Sequence, residues 1–151
     1  MRFIRLQYVD EQRAYCALAE KCLEHMSGAL KRNLCGLRAP GTITTTISPI
    51  QVNKCLTEEL RYACRFWIQH LYRGKLVFLM DMNLQDQVFN FLKTSLLYWL
   101  ESLSLMRCPY EAIRALISLE DLVNEVSLVS KFLFPIIEGL NRGNVDNQLG
   151  V

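Results

Sequence analysis

Apolar residues step by three and four through most of this chain, the spacing that gathers them on one face of an α-helix. The first run follows Asp10 and Glu11, an N-cap residue and a first-turn acid. It passes through Tyr15, Leu18, Cys22, Met26, Ala29 and Leu30 to the cations Lys31 and Arg32. Ser48 before Pro49 predicts a short helix reaching toward Cys55, because proline at the first helical position gives up only a donor that has no partner there. Thr57, Glu58 and Glu59 open a third helix carrying Leu60, Cys64, Trp67, Ile68 and Leu71, and Gly74 closes it. From Leu84 a longer face runs through Val88, Phe91, Leu92, Ser95, Trp99, Leu103 and Met106. Phe89, Leu96 and Leu100 widen it until burial on more than one side is implied. Cys108 and Pro109 interrupt the pattern, and Pro109 can start the next helix, through Ile113, Leu116, Ile117, Leu122, Val123 and Val126.

Between these runs the chain breaks. Leu34 to Ser48 holds Gly36, Pro40, Gly41 and several threonines and reads as a loop. Leu76 to Met80 is too short for periodicity to decide and is read as a loop packed on the core. Pro135 is expected to kink or end a last helical piece containing Phe132 and Phe134, and the Gly- and Asn-rich stretch from Asn141 is expected to fray. The expectation is an all-α fold of about five helices, a multi-helix bundle or helical-hairpin array with one irregular Gly/Pro/Thr-rich loop. Residues 1–9 form an extended lead-in, 10–140 one helical domain or fragment, and 141–151 a flexible tail.

Composition narrows the class. Apolar residues are 51% and charged residues 21%, far from the disordered corner, so the chain folds or folds onto something. A mean hydropathy of +0.12 hints at apolar surface meant for a neighbour. Lys and Arg outnumber Asp and Glu by 17 to 15, too near balance to steer nucleic acid or anionic lipid, and neither is expected as a partner. The most apolar stretch, Val88 to Met106, is broken by Asn90, Lys93, Glu101 and serines, so it is not a bilayer span. The N-terminus lacks the apolar core of a signal peptide, which points to a cytoplasmic location. Six irregularly spaced cysteines, at 16, 22, 35, 55, 64 and 108, read as reduced thiols rather than a disulfide framework.

Little in the sequence calls for catalysis. Gly36 to Thr42 has the glycine spacing of a phosphate loop but lacks the following lysine, and Pro40 removes a backbone donor. Cys22 and His25 lie three apart on one helix, with Cys35, Cys64 or His70 as further ligands if the helices converge. No second close pair supports a zinc site, and Cys64 and His70 fall on different helix faces for nucleophilic work. Glu58, Glu59, Glu120 and Asp121 read as helix-start or surface charge, and Arg61, Arg65 and Arg73 as a basic stripe on a solvated face. No catalytic, cofactor-binding or metal-binding residue is therefore assigned, no cofactor is expected, and the chain is read as not an enzyme. Phe66-Trp67-Ile68 with Leu71 echoes Tyr98-Trp99-Leu100 with Leu103. A helical-repeat protein-binding module of the TPR type is the alternative this raises, and two aromatic core helices explain it more simply.

The order of several segments carries a resemblance. Tyr8-Val9-Asp10-Glu11 leads into Leu18-Ala19-Glu20-Lys21-Cys22-Leu23, followed by Asn33-Leu34-Cys35-Gly36-Leu37 with Pro40-Gly41. Tyr62-Ala63-Cys64-Arg65-Phe66-Trp67-Ile68, His70-Leu71 and Tyr98-Trp99-Leu100-Glu101-Ser102-Leu103 follow in turn. Together they resemble the helical region downstream of the NTPase core in fungal NACHT-type proteins, relatives of NOD-like receptors that often end in WD or ankyrin repeats. Tyr15 and Tyr98 depart from the histidines expected there, and the match weakens after Val126. The resemblance implies a non-catalytic interdomain or interaction module in signal transduction, of the heterokaryon-incompatibility or innate-immunity-like kind. Its partners would be a NACHT domain, a repeat array or related subunits. The upstream phosphate loop is absent, so nucleotide hydrolysis does not carry over, and the chain is either complete or a piece of a longer protein.

Overall fold

A computed structural model describes residues 2–32, 34–36 and 47–149. Among them are six α-helices and no strand: α1 (Arg2–Ala29), α2 (Pro49–Cys55), α3 (Glu58–Arg73), α4 (Lys75–Met80), α5 (Met82–Leu105) and α6 (Pro109–Leu149). Most of the glycine-spaced stretch Gly36 to Thr42 lies outside the described residues. Local chemistry sets three of the helix starts. The Ser48 hydroxyl accepts from the Gln51 N–H, Thr57 from Leu60 and Asp81 from Leu84, each satisfying a donor that a first turn leaves without a partner.

Four long helices pack with alternating direction. As the chain leaves α3 and enters α4, Arg73, Gly74 and Leu76 meet Tyr15, Cys16 and Gln12 in turn, so α1 and α3 run antiparallel. Trp99 of α5 meets Cys64 of α3, while α6 runs in step with the chain from α3 into α4, Glu111 meeting Arg65 and then Glu125 meeting Lys75. The core lies between them. Trp67 and Trp99 are fully buried and meet edge to face, 5.6 Å between centroids, with Phe91 on Trp67 at 5.3 Å. The Trp99 Nε1–H donates to the Cys64 carbonyl at 2.8 Å, which fixes α5 against α3. The echo of two aromatic segments is therefore two faces of one core.

Four expectations change. The segment Leu76 to Met80 is helical, as α4, because its ends are capped from a distance: Gln12 accepts from the Leu76 N–H at 2.8 Å, and Gln85 donates to the Phe78 and Leu79 carbonyls. The first helix starts at Arg2 instead of Asp10, since nothing between them breaks a helix. Pro135 lies inside α6, which runs on to Leu149 through the stretch expected to fray. Proline costs the bond its missing N–H would make to the Lys131 carbonyl, and both residues are exposed, so water can take that carbonyl. Finally, Cys35 and Cys55 form a disulfide, with Cα atoms 5.3 Å apart, and four cysteines remain free. The turn of α2 brings the two together, helped by a Gln51 side-chain bond to the Cys35 carbonyl.

Candidate interaction surface

The residues singled out for chemistry scatter. Cys22 is buried while His25, on the same helix, is exposed, and Cys35 is bonded to Cys55. Burial pushes the Cys64 thiol up to about 12, with Cys22 nearby adding to it, and raises Cys16 to about 11, so neither is a ready thiolate. His70 shares its Nε2 with the Tyr62 hydroxyl at 2.9 Å and stacks on Tyr15. Burial, then the Arg73 charge, holds it below the usual imidazole range. Among the described residues no three His, Cys, Asp or Glu side chains gather as metal ligands. Glu120 and Asp121 are exposed, and Glu58 and Glu59 sit in the first turn of α3.

The arginine stripe of α3 is more organised than a solvated face. Arg61 donates to Asn53 of α2 at 2.7 Å, Arg65 makes a bidentate pair with Glu111 of α6, and Arg73 donates to the Tyr15 hydroxyl of α1. Each arginine ties α3 to a different neighbour. These pairs are exposed, so each contributes at most about 1 kcal/mol and mainly fixes geometry.

Two surface features stand out. The first is one end of the bundle, where α1 begins, α4 turns the chain into α5, and α6 runs out beyond its last core residue, Val126. Large apolar side chains crowd this end exposed: Ile4 and Leu6 on α1, Leu76, Met80 and Met82 at the corner, and Leu128, Phe132, Ile136 and Leu140 on α6. The α6 set recurs every four residues, one stripe along a helix that extends about 35 Å past Val126. Water-facing stripes of this length are uncommon on monomers and mark contact surfaces.

The second is a cleft of about 500 Å³ between α2, α3 and the turn joining α5 to α6, lined by Arg61, Arg65 and Arg107 with Tyr62 and Phe66. Sequence reasoning missed both. The stripe is visible in the sequence, but whether it is covered depends on tertiary contacts, and the cleft joins residues from three separate segments.

Over 109 aligned residues the chain is 37% identical to the vegetative incompatibility protein HET-E-1 of Podospora anserina, covering 68% of this chain and 8% of that protein. This is a helical segment related to a stretch of an incompatibility protein, and it spans about 8% of that relative's length. No family model matches the chain, and no solved structure does. Among the described residues no helix is long and apolar enough to cross a membrane.

Proposed function

We propose that the chain is a non-catalytic interdomain module of a NACHT-type incompatibility protein, and that its apolar end docks on a neighbouring domain of the same polypeptide. The observation that carries this reading is the exposed stripe Leu128, Phe132, Ile136 and Leu140 on α6, with Met80 and Met82 exposed at the corner between α4 and α5. A related segment embedded in a far longer protein favours an occupant from the same chain. The geometry suits a coupling element: α6 is rooted in the core through Leu119, Leu122 and Val126, and the same helix carries the free stripe. A domain seated on the stripe would pull on the core through one rigid rod. The fit of this role to the cytoplasm, and to signalling without turnover, belongs to the same proposal.

The test compares the purified chain with a variant carrying Leu128→Ser, Phe132→Ser, Ile136→Ser and Leu140→Ser. The wild-type chain should bind an apolar dye or self-associate in light scattering. The variant should keep its helicity, lose most of the dye signal and stay monomeric. A wild-type chain that neither binds dye nor associates would overturn the reading, as would sustained ATP or GTP turnover. A discrete dimer abolished by the variant would assign the stripe to a second copy instead.

A further inference from the structure

The cleft carries a separate inference, because one of its residues holds an unfavourable backbone conformation. Arg107 has φ 55°, the one positive value at a non-glycine residue among those described. Its N–H bonds the Ser104 carbonyl, and the Cys108 N–H bonds that of Leu103, the pattern that closes a helix around a left-handed residue. Glycine takes that place readily, whereas an L side chain there costs about 1 kcal/mol or more. Among the described residues the exposed Arg107 side chain meets no acceptor that would offset the cost.

A count of donors shows what the cleft offers. A guanidinium has five N–H groups. Among the described residues, Arg61 commits one to Asn53, Arg65 commits two to Glu111, and Arg107 commits none. Among the described residues that line the cleft, Glu58 is the one carboxylate. A carboxylate ligand is saturated by a single guanidinium fork, whereas a phosphate monoester has three terminal oxygens and nearly two charges to engage several cations. Tyr62 and Phe66, tilted together at 4.9 Å, supply an apolar face beside these donors, and the volume suits a small molecule.

We propose that this cleft binds a phosphate monoester on a small organic molecule, with Arg107 gripping the phosphate and Tyr62 and Phe66 meeting the organic group. Arg107 then occupies a costly backbone position because its guanidinium is needed there. The test uses the full chain at low salt and titrates phenyl phosphate and inorganic phosphate calorimetrically. Phenyl phosphate should bind one per chain and more tightly than inorganic phosphate. Arg107→Gly should weaken it at least tenfold while leaving the melting temperature unchanged or raised, since glycine relieves the strained turn. Arg107→Gln should lose the same affinity without that relief. Arg5→Ala, at the opposite end of the bundle, should bind as the wild type does. The proposal is overturned by the absence of saturable binding, by wild-type affinity in Arg107→Gly, or by an equal loss in Arg5→Ala, which would mark general charge attraction. Equal affinity for the two probes would refute the aromatic contact.

Discussion

Replacing Gly74 with alanine places one methyl where α1 comes closest to the corner between α3 and α4. The backbone there has φ −92°, open to any residue, so the effect is steric. An ideal Cβ would lie 2.7 Å from the Cys16 Sγ, 2.8 Å from the Gln12 carbonyl oxygen and 3.1 Å from the Cys16 nitrogen. Comfortable heavy-atom contacts lie nearer 3.5–4.0 Å, and two of these three atoms are α1 backbone, so relief requires shifting the helix by several tenths of an ångström. The shift strains the Cys16 thiol bond to the Gly74 carbonyl and the Gln12 cap on Leu76. Overpacking of this kind costs about 1–3 kcal/mol, outweighing the gain of under about 1 kcal/mol that Gly→Ala usually brings. Net of that gain the loss is about 1–2 kcal/mol, and at about 2–4 °C per kcal/mol for a domain of this size Gly74→Ala should melt about 2–8 °C lower in far-UV circular dichroism. Cys16→Ala removes only the sulfur contact, so Cys16→Ala with Gly74→Ala should remain less stable than Cys16→Ala alone. A Gly74→Ala chain as stable as the wild type, or a double variant equal to Cys16→Ala, would show that α1 does not press on the corner.

Trp99→Phe removes the 2.8 Å bond to the Cys64 carbonyl and leaves a gap beside Trp67. It should lower stability by about 1–3 kcal/mol in urea titration with an unchanged slope, and a smaller loss would show that the bond does not fix α5. Among the free thiols, half-buried Cys108 should alkylate well before buried Cys16 and Cys64 in the native protein, and peptide mapping that found Cys64 labelled first would contradict its burial. The folded-state pKa of His70 lies below its unfolded value, so below about pH 6.5 the unfolded chain takes the proton first. Its contribution is therefore complete above that pH and lost as pH falls toward the folded value. Urea stability measured across this range should slope downward with acid, and His70→Asn should flatten that slope; an identical slope in both proteins would exclude His70 as its source.

Where local chemistry decides, the sequence was legible. Ser48 with Pro49, Thr57 with Glu58 and Glu59, and Gly74 mark helix ends that the structure reproduces, and Trp67 and Trp99 form the core as their spacing implied. Where a partner distant along the chain decides, it was not. The caps that make α4 a helix come from Gln12 on α1 and Gln85 on α5, and no window around Leu76 contains both. The disulfide hides for the same reason, since irregular cysteine spacing says nothing about which two meet. Cys108 and Pro109 announced a break, but the left-handed Arg107 beside them carries no composition signal, because glycine is the residue that usually advertises such a turn. The exposed stripe of α6 illustrates a different limit: its periodicity is the same whether the face is covered or bare.

The bond between Cys35 and Cys55 makes a covalent ring of the segment between them, with 20 positions separating its ends. A protease that cuts once anywhere inside this ring leaves the mass of the molecule joined, so on a denaturing gel without reductant the nicked chain migrates near the intact one. With reductant it falls into two pieces, a short one built around α1 and a long one holding α3 to α6. Closing a ring of this size also narrows the unfolded ensemble by about 3 kcal/mol, and that gain survives only while the thiols stay oxidised. One wall of the arginine cleft is α2, which ends at Cys55, so reducing this bond would release one end of that wall.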